Sequence, residues 1–333
     1  MKDKRNYSLR AHNTFGIDAT CDRYLEYINI EEAQETARIL RDEQQPFIII
    51  GGGSNLLLTG DFHGTVVRSA LCLAYFDTGR LLCGSGVEWD DLVEHCLQYR
   101  QYGAENLSLI PGDVGAVAVQ NIGAFGVEAK DIIERVWAVE IATGELKIFM
   151  REECDYGYRW SKFKGEWRNQ YLITQVDFKL SPLFKPHLDY GNLRQELQQR
   201  GIDTPTPEQL RKVIIDIRRA KLPDPKEKGN AGSFFTNPVV SSEEYAALAR
   251  QYPDMPHYPT DNQQVKLSAA WMIDRCGWRG RSMGRAAVHD RHALVLVNSG
   301  GATGAEIVAL AKAIQQDVRD KFGIILQPEV NIV

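Results

Sequence analysis

The chain has 333 residues, of which 44% are hydrophobic and 25% charged, with 39 basic and 44 acidic side chains for a net charge of −5. That is about two domains' worth of an ordinary globular protein at ~100–200 residues per domain, and it excludes wholesale disorder. No basic excess recommends nucleic acid or an anionic membrane as the partner, and the aliphatic runs Ile48–Ile50 and Leu56–Leu58 are far too short to cross a bilayer.

The first ten residues, MKDKRNYSLR, carry charge with no apolar stretch behind them, so no secretory leader is expected. Ile30, Ala33, Ala37 and Leu40 fall at helical spacing, and Pro46 ends that stretch. Phe47–Ile50 reads as a buried strand running into Gly51-Gly52-Gly53-Ser54-Asn55. Strands are expected at Thr65–Arg68 and Leu81–Cys83, then a helix over Glu88–Tyr99 closed by Gly103. Small residues fill Pro111–Gly126, with one polar pair, Gln120-Asn121. Arg135–Ile141 and Leu146–Met150 flank Ala-Thr-Gly-Glu as a hairpin, and Tyr171–Leu180 is a further strand. Thr206-Pro207-Glu208-Gln209 starts a helix that stops before Pro223. Ser241-x-x-Glu244 and Thr303-x-x-Glu306 are capping boxes opening helices near 242–251 and 304–322. Leu267–Cys276 reads as a helix stopped by Gly277, with strands at Ala293–Val297 and Ile324–Val330. The class is α+β, with a first domain over 1–204, a second over 205–322, and a closing strand over 323–333.

The six cysteines are scattered without a Cys-x-x-Cys pair, which suits reduced thiols of a cytoplasmic protein. His289 and His292 stand three apart, but no further ligands complete a tetrahedral set, so no metal is expected. Three glycines after a buried strand allow a backbone to approach a ligand closely. The segment is neither a dinucleotide fingerprint, since Leu56 stands where Gly is needed, nor a phosphate loop of NTPases, since it has no lysine. Alone it reads equally well as a tight turn. Paired with the long small-residue stretch over Pro111–Gly126, it suggests a cofactor with a pyrophosphate and a planar ring.

The sequence resembles the UDP-N-acetylenolpyruvoylglucosamine reductases of peptidoglycan synthesis, nearly end to end. The anchors, in order, are Asn13-Thr14-Phe15-Gly16-Ile17, Gly51–Asn55, Ile110-Pro111-Gly112, Gln120-Asn121-Ile122-Gly123-Ala124, Tyr156-Gly157-Tyr158-Arg159, Lys221–Pro225, Gly229–Phe235, Asn237-Pro238, Ala286–His289 and Pro328-Glu329-Val330. Tyr190-Gly191 and the Tyr258-Pro259 loop resemble the longer, type I branch. The resemblance implies a vanillyl-alcohol-oxidase-type FAD-binding domain in two subdomains, split near residue 68, followed by a substrate-binding domain. By the same resemblance, the last strand returns to the active-site face of the flavin domain.

The implied reaction uses NADPH, through non-covalent FAD, to reduce the enolpyruvyl ether of UDP-N-acetylglucosamine to UDP-N-acetylmuramate. A cytoplasmic monomer acting on a small UDP-sugar is expected. Charge accumulating on the substrate carboxylate calls for hydrogen-bond donors, and the α-carbon needs an acid. By resemblance Arg159 stabilises that charge with its planar fork, Glu329 acts on the other side of the same group, and Ser233 protonates carbon. Implied cofactor contacts are Gly51, Gly52, Gly53, Ser54, Asn55, Leu56, Ile110, Pro111, Gln120, Asn121, Ile122, Gly123 and Arg218. Implied substrate contacts are Tyr158, Tyr190, Lys221, Asn237, Tyr258 and His292. Four positions depart from the family's usual pattern: Ala116-Val117 in place of a serine pair, His292 for glutamine, Gln327 for glutamate before Pro328, and Asn331 where an arginine can occur. Rival readings are a flavin oxidase that uses oxygen as acceptor, and a non-catalytic nucleotide-sugar binder.

Overall fold

The computed structural model describes residues 1–77, 79–260 and 263–333. They form two compact units, neither continuous in sequence: Met1–Tyr7, Cys21–Gly52 and His63–Ala220 make the first, and Ser8–Thr20, Gly53–Phe62 and Lys221–Val333 the second.

The first unit carries two sheets. Strands Lys2–Ser8, Thr20–Tyr27, Phe62–Ser69 and Phe47–Ile50 lie in that order, the last two parallel with Ile48 opposite Val66. Between the second and last in space, the chain forms the Ile30–Glu43 helix, capped by Asn29, whose side chain accepts from the Glu32 N–H at 2.8 Å. Its Ala33, Ala37 and Leu40 pack with Leu25, Tyr27, Val67 and Leu172. The second sheet is antiparallel, in the order Leu146–Met150, Ile133–Glu140, Tyr171–Lys179, Arg80–Gly84, Ala74–Asp77. Helices Trp89–Gln98 and Val114–Gln120 bury Trp89, Leu92, Val114 and Val117 in its core. Pro207–Lys221 repeats buried residues at Leu210, Val213, Ile214 and Ile217, the one-face spacing of a helix, and closes on Leu193 and Leu197.

In the second unit an antiparallel sheet runs Asn230–Ser233, Val295–Asn298, Ala286–Val288, Ser282–Met283. A three-stranded sheet orders Val239–Ser241, Gln264–Leu267, His257–Pro259. The helices are Ser242–Gln251, Ala269–Arg275 and Gly304–Phe322. The longest ends at Gly323, whose φ of 70° suits glycine and whose N–H donates to Arg319 O at 2.8 Å. The stretch expected as a strand over 324–330 is irregular. Pro328 has no N–H to donate, and the regular pairing comes later, where Asn331–Ile332 runs parallel to Leu56–Leu57. Among the described residues no helix is long and apolar enough to cross a membrane, and no group of three or more His, Cys, Asp and Glu side chains is placed to hold a metal ion.

Candidate functional site

In the first unit, Gly51 and Gly52 follow the Phe47–Ile50 strand and pack against the start of the Val114–Gln120 helix. A Cβ on Gly52 would lie 3.0 Å from Asp113 Oδ1, and one on Gly51 3.1 Å from Ala116 Cβ. Only a small residue at 116 leaves this loop its place. Val117, the other half of the departure from a serine pair, is 1% exposed and belongs to the core. Asp113 pairs with Arg68 at 3.3 Å, and Arg68 with Glu26 at the same distance. Burial pushes the Asp113 carboxyl up to about 6 against the pull of Arg68. These two residues lie 45 positions apart, so no sequence motif announces them.

After that short helix the chain turns through Gln120–Gly123. Asn121 is in the left-handed region at φ 43°, which its short side chain tolerates, and it is fully buried. Its amide donates to Gly157 O at 2.8 Å and Glu128 Oε2 at 2.9 Å, and its oxygen accepts from the Lys130 N–H at 2.9 Å. Any contact of Asn121 with a ligand is therefore a backbone contact. Arg159 donates from Nη2 to Gly123 O at 2.9 Å. Arg218, near the end of the Pro207–Lys221 helix, feels the Arg159 charge. Burial first and that charge second bring its guanidinium down to about 10, and its buried Nε has no acceptor among the described residues. Two cations held close with a donor unsatisfied suit an anionic or carbonyl-bearing ligand. Tyr158 and Tyr190 are exposed, and Tyr190 covers Gly126, where a Cβ would meet it at 3.2 Å. Ile110 is half-buried, Pro111 exposed and Ile122 half-buried.

The second unit gathers a different set. Gly53 has φ 70°, and a Cβ there would lie 2.0 Å from His12 O. Thr14 joins this loop to the Asn230–Ser233 strand: its N–H donates to Gly53 O at 3.1 Å and its Oγ1 to Asn230 O at 2.6 Å. Sequence reasoning quoted Thr14 within an anchor but gave it no role; its hydroxyl between two glycine-rich segments was the available signal. Ser233 is half-buried at the strand's end, opposite Val295. Glu329 runs alongside, its N–H donating to Phe234 O at 2.8 Å, and the Asn55 amide donates to Glu329 O at 3.1 Å. The loop Gly53–Asn55, Ser233 and Glu329 are thereby tied to one another. Asn331 supports them, donating to Asn55 O from its backbone and its side chain. Leu56 is buried in the pairing with Asn331.

Asn237 spends its side-chain oxygen capping the Ala269–Arg275 helix, accepting from the Ala269 N–H at 3.0 Å, which leaves its NH2 for a ligand. His292 is half-buried, with Nδ1 buried and unpaired among the described residues. Burial and then the Lys221 charge hold it below the ordinary histidine value, so it is neutral at pH 7. Lys221 and Tyr258 are exposed.

A family model for an FAD-binding domain matches residues 22–149, and one for the UDP-N-acetylenolpyruvoylglucosamine reductase C-terminal domain matches 224–333. The UDP-N-acetylenolpyruvoylglucosamine reductase of Bacteroides fragilis (strain YCH46) is 48% identical over 99% of this chain and 100% of its own length. The chain belongs to the UDP-N-acetylenolpyruvoylglucosamine reductase family. The reductase of that name from Burkholderia ambifaria (strain MC40-6) is 46% identical over 97% of this chain and 95% of its own. Among solved structures, the UDP-N-acetylenolpyruvylglucosamine reductase of Thermus caldophilus shares the fold over 99% of this chain and 98% of its own. Its TM-score is 0.67 at 21% identity. As a reductase of this family the chain is an FAD-dependent oxidoreductase that draws on NADPH. The glycine cradle at 51–53 and the unsatisfied Arg218 Nε fit such a cofactor.

Proposed function

We infer that this chain reduces UDP-N-acetylglucosamine enolpyruvate to UDP-N-acetylmuramate, the step that makes the muramate precursor of peptidoglycan. Relatedness over the full length to named reductases supports the reaction. The observation that carries the residue roles is the joining of Gly53–Asn55, Ser233 and Glu329 through Thr14, Asn55 and Phe234. When bound, FAD would supply hydride chemistry, with NADPH as the electron source and the β-carbon of the enolpyruvyl group as the acceptor.

Arg159 holds the substrate carboxylate by two parallel N–H donors and spreads the charge that collects there. Glu329 acts on the opposite side of that carboxylate, and Ser233 Oγ gives the α-carbon its proton. A hydroxyl is a poor acid, so the transfer runs only as the enolate's basicity develops. Lys221 and the NH2 of Asn237 hold the diphosphate, Tyr190 and Tyr258 cover the nucleotide, Tyr158 contacts the substrate, and His292 offers a neutral imidazole. Gly51–Leu56, Ile110, Pro111, Gln120–Gly123 and Arg218 hold the flavin nucleotide. In this reading residues 1–204 bind FAD in two parts that divide near residue 68, 205–322 bind the UDP-sugar, 323–333 complete the active centre, and the enzyme is a cytoplasmic monomer.

The test is anaerobic visible spectroscopy of the purified protein. NADPH should bleach the bound flavin, and UDP-N-acetylglucosamine enolpyruvate should restore its colour. Restoration by oxygen alone would keep the flavin fold and reject the substrate; failure to bind flavin on reconstitution would leave a nucleotide-sugar binder.

A further inference from the structure

Arg159 stands in a two-residue turn. Gly157 and Trp160 close it with reciprocal hydrogen bonds, Gly157 N–H to Trp160 O and Trp160 N–H to Gly157 O, both at 3.1 Å. Arg159 has φ 54°, a left-handed conformation that a residue with a Cβ adopts against its preference, so the surroundings must hold it there. Lys164 Nζ donates to Arg159 O at 3.2 Å, and two further side chains, Asn121 and Trp160, bear on the turn. Asn121 donates to Gly157 O at 2.8 Å from a fully buried amide. The Trp160 indole is seated on Gly165, where a Cβ would fall only 2.3 Å from its Cζ2, whereas a Cβ on Gly157 would meet Trp160 at ordinary contact distance, 3.6 Å from its Cβ. Yet Trp160 as a residue is 44% exposed, so burial alone does not explain why so large a ring is seated there. The far end of the arginine is fixed by the same frame, through Nη2 to Gly123 O, two residues from Asn121.

We propose that Trp160 and Asn121 are positioning residues, Trp160 seating its ring on Gly165 and Asn121 holding Gly157 O, so that the turn presents the Arg159 guanidinium in one place. The proposal rests on the assignment of Arg159 to the reaction. A displacement near 1 Å in a group that must meet developing charge can lower a rate by about 10²-fold.

The experiment compares Trp160→Ala, Trp160→Phe, Gly165→Ala, Asn121→Gly and Arg159→Lys in the two anaerobic half-reactions. Flavin spectrum, thermal midpoint and equilibrium binding of the enolpyruvyl substrate to the oxidised enzyme are measured beside them. Trp160→Ala should slow reoxidation by substrate about 10–100-fold, with NADPH-driven bleaching and bound flavin as in the parent. Trp160→Phe should recover most of that loss. Gly165→Ala, whose added methyl unseats the ring, should slow reoxidation too, yet add nothing in the double variant with Trp160→Ala. Asn121→Gly keeps the left-handed backbone but loses its bonds to Gly157, Glu128 and Lys130 together, so reoxidation should slow at least as much as in Trp160→Ala, and parent-like reoxidation would overturn its part. Parent-like reoxidation in Trp160→Ala while Arg159→Lys is slow overturns the positioning role alone. Equal loss in both half-reactions, with flavin released or the midpoint lowered, reduces Trp160 to a structural part. Parent-like reoxidation in Arg159→Lys instead overturns the reading of Arg159.

Discussion

Ser233 closes a short strand whose other end, Asn230, is fastened by its side chain to Pro223 O and Lys228 O and by its backbone to Thr14. The hydroxyl is thus carried on a fixed backbone, and removing it should leave that backbone unchanged. Ser233→Ala is expected to keep NADPH-driven flavin reduction and to slow reoxidation by substrate ~10²–10⁴-fold, the ordinary worth of a general acid. Equal slowing of both half-reactions would reject the role. Gly53 offers a sharper steric case. Gly53→Ala adds a methyl against a backbone carbonyl at a positive φ, so an unfolding free energy lower by more than ~1 kcal/mol is expected, with flavin lost on gel filtration. Gly60→Ala, which meets nothing within 4 Å, is the neutral control. His292 brings a pH argument. Burial and then the Lys221 charge hold it below the ordinary histidine value, so any protonation, which would add charge beside Lys221, falls on the acid side of the ordinary histidine range. His292→Gln should abolish any change in substrate affinity that parent enzyme shows on the acid side, and a change of the same size in the variant would assign it elsewhere.

At the scale of elements, the helix starts show what local chemistry can write into a chain. The Ser241/Glu244 and Thr303/Glu306 boxes form as the spacing implies, and Thr206 and Gln209 bond reciprocally at the start of Pro207–Lys221. Thr303→Ala should destabilise by about 1 kcal/mol, within the 0.5–2 typical of a lost cap, in urea unfolding. Glu306 is held down to about 2 by the Thr303 backbone and by Arg285. Its folded value lies below its unfolded one, so its contribution is present above pH 4.5 and fades as pH falls toward 2. Glu306→Gln should flatten that part of the stability–pH curve. Other elements carry weaker local signals. Lys2–Ser8 is a polar strand at a sheet edge, exposed along most of its length, so no alternation marks it. Val114–Gln120 is built of small residues and reads as a ligand-wrapping loop; it is a helix because Val114, Val117 and Ala118 find a core to enter. The reverse case is the strand expected over 324–330: pairing there is confined to a single bridge of Pro328 with Phe235, flanked by the bonds Thr236 N–H to Gln327 O and Glu329 N–H to Phe234 O, so no regular ladder forms.

For the whole molecule, the second unit depends on two distant segments. Gly229 has no room for a Cβ, which would fall 2.2 Å from Phe15 O; Asn298 donates to that same oxygen at 2.9 Å, and the Asn230 N–H to Thr14 O at 3.0 Å. Phe15 meets Phe234 edge-on at 6.4 Å, and Gly304 is pressed against Leu58 O. A fragment of residues 224–333, the span of the C-terminal family match, should therefore fail to fold when made alone. Its amide spectrum should be poorly dispersed, while a well-dispersed spectrum would show that segments 8–20 and 53–62 are dispensable. The intact chain should in turn gain thermal midpoint with added FAD, by about 2.7 kcal/mol of stabilisation at a hundredfold excess over the dissociation constant. Family, cofactor and reaction were legible through the resemblance that the ordered anchors carry together; taken singly, the glycine run reads equally well as a tight turn, and the arginine of Tyr-Gly-Tyr-Arg as a surface residue. Helix starts were equally legible, since a cap is satisfied within four residues. Partnerships such as Arg68 with Asp113, Thr14 with Asn230 and Phe15 with Asn298 could come only from tertiary structure. Each depends on chain reversals that bring unlike segments within a few ångströms, and no local preference of either partner encodes that meeting.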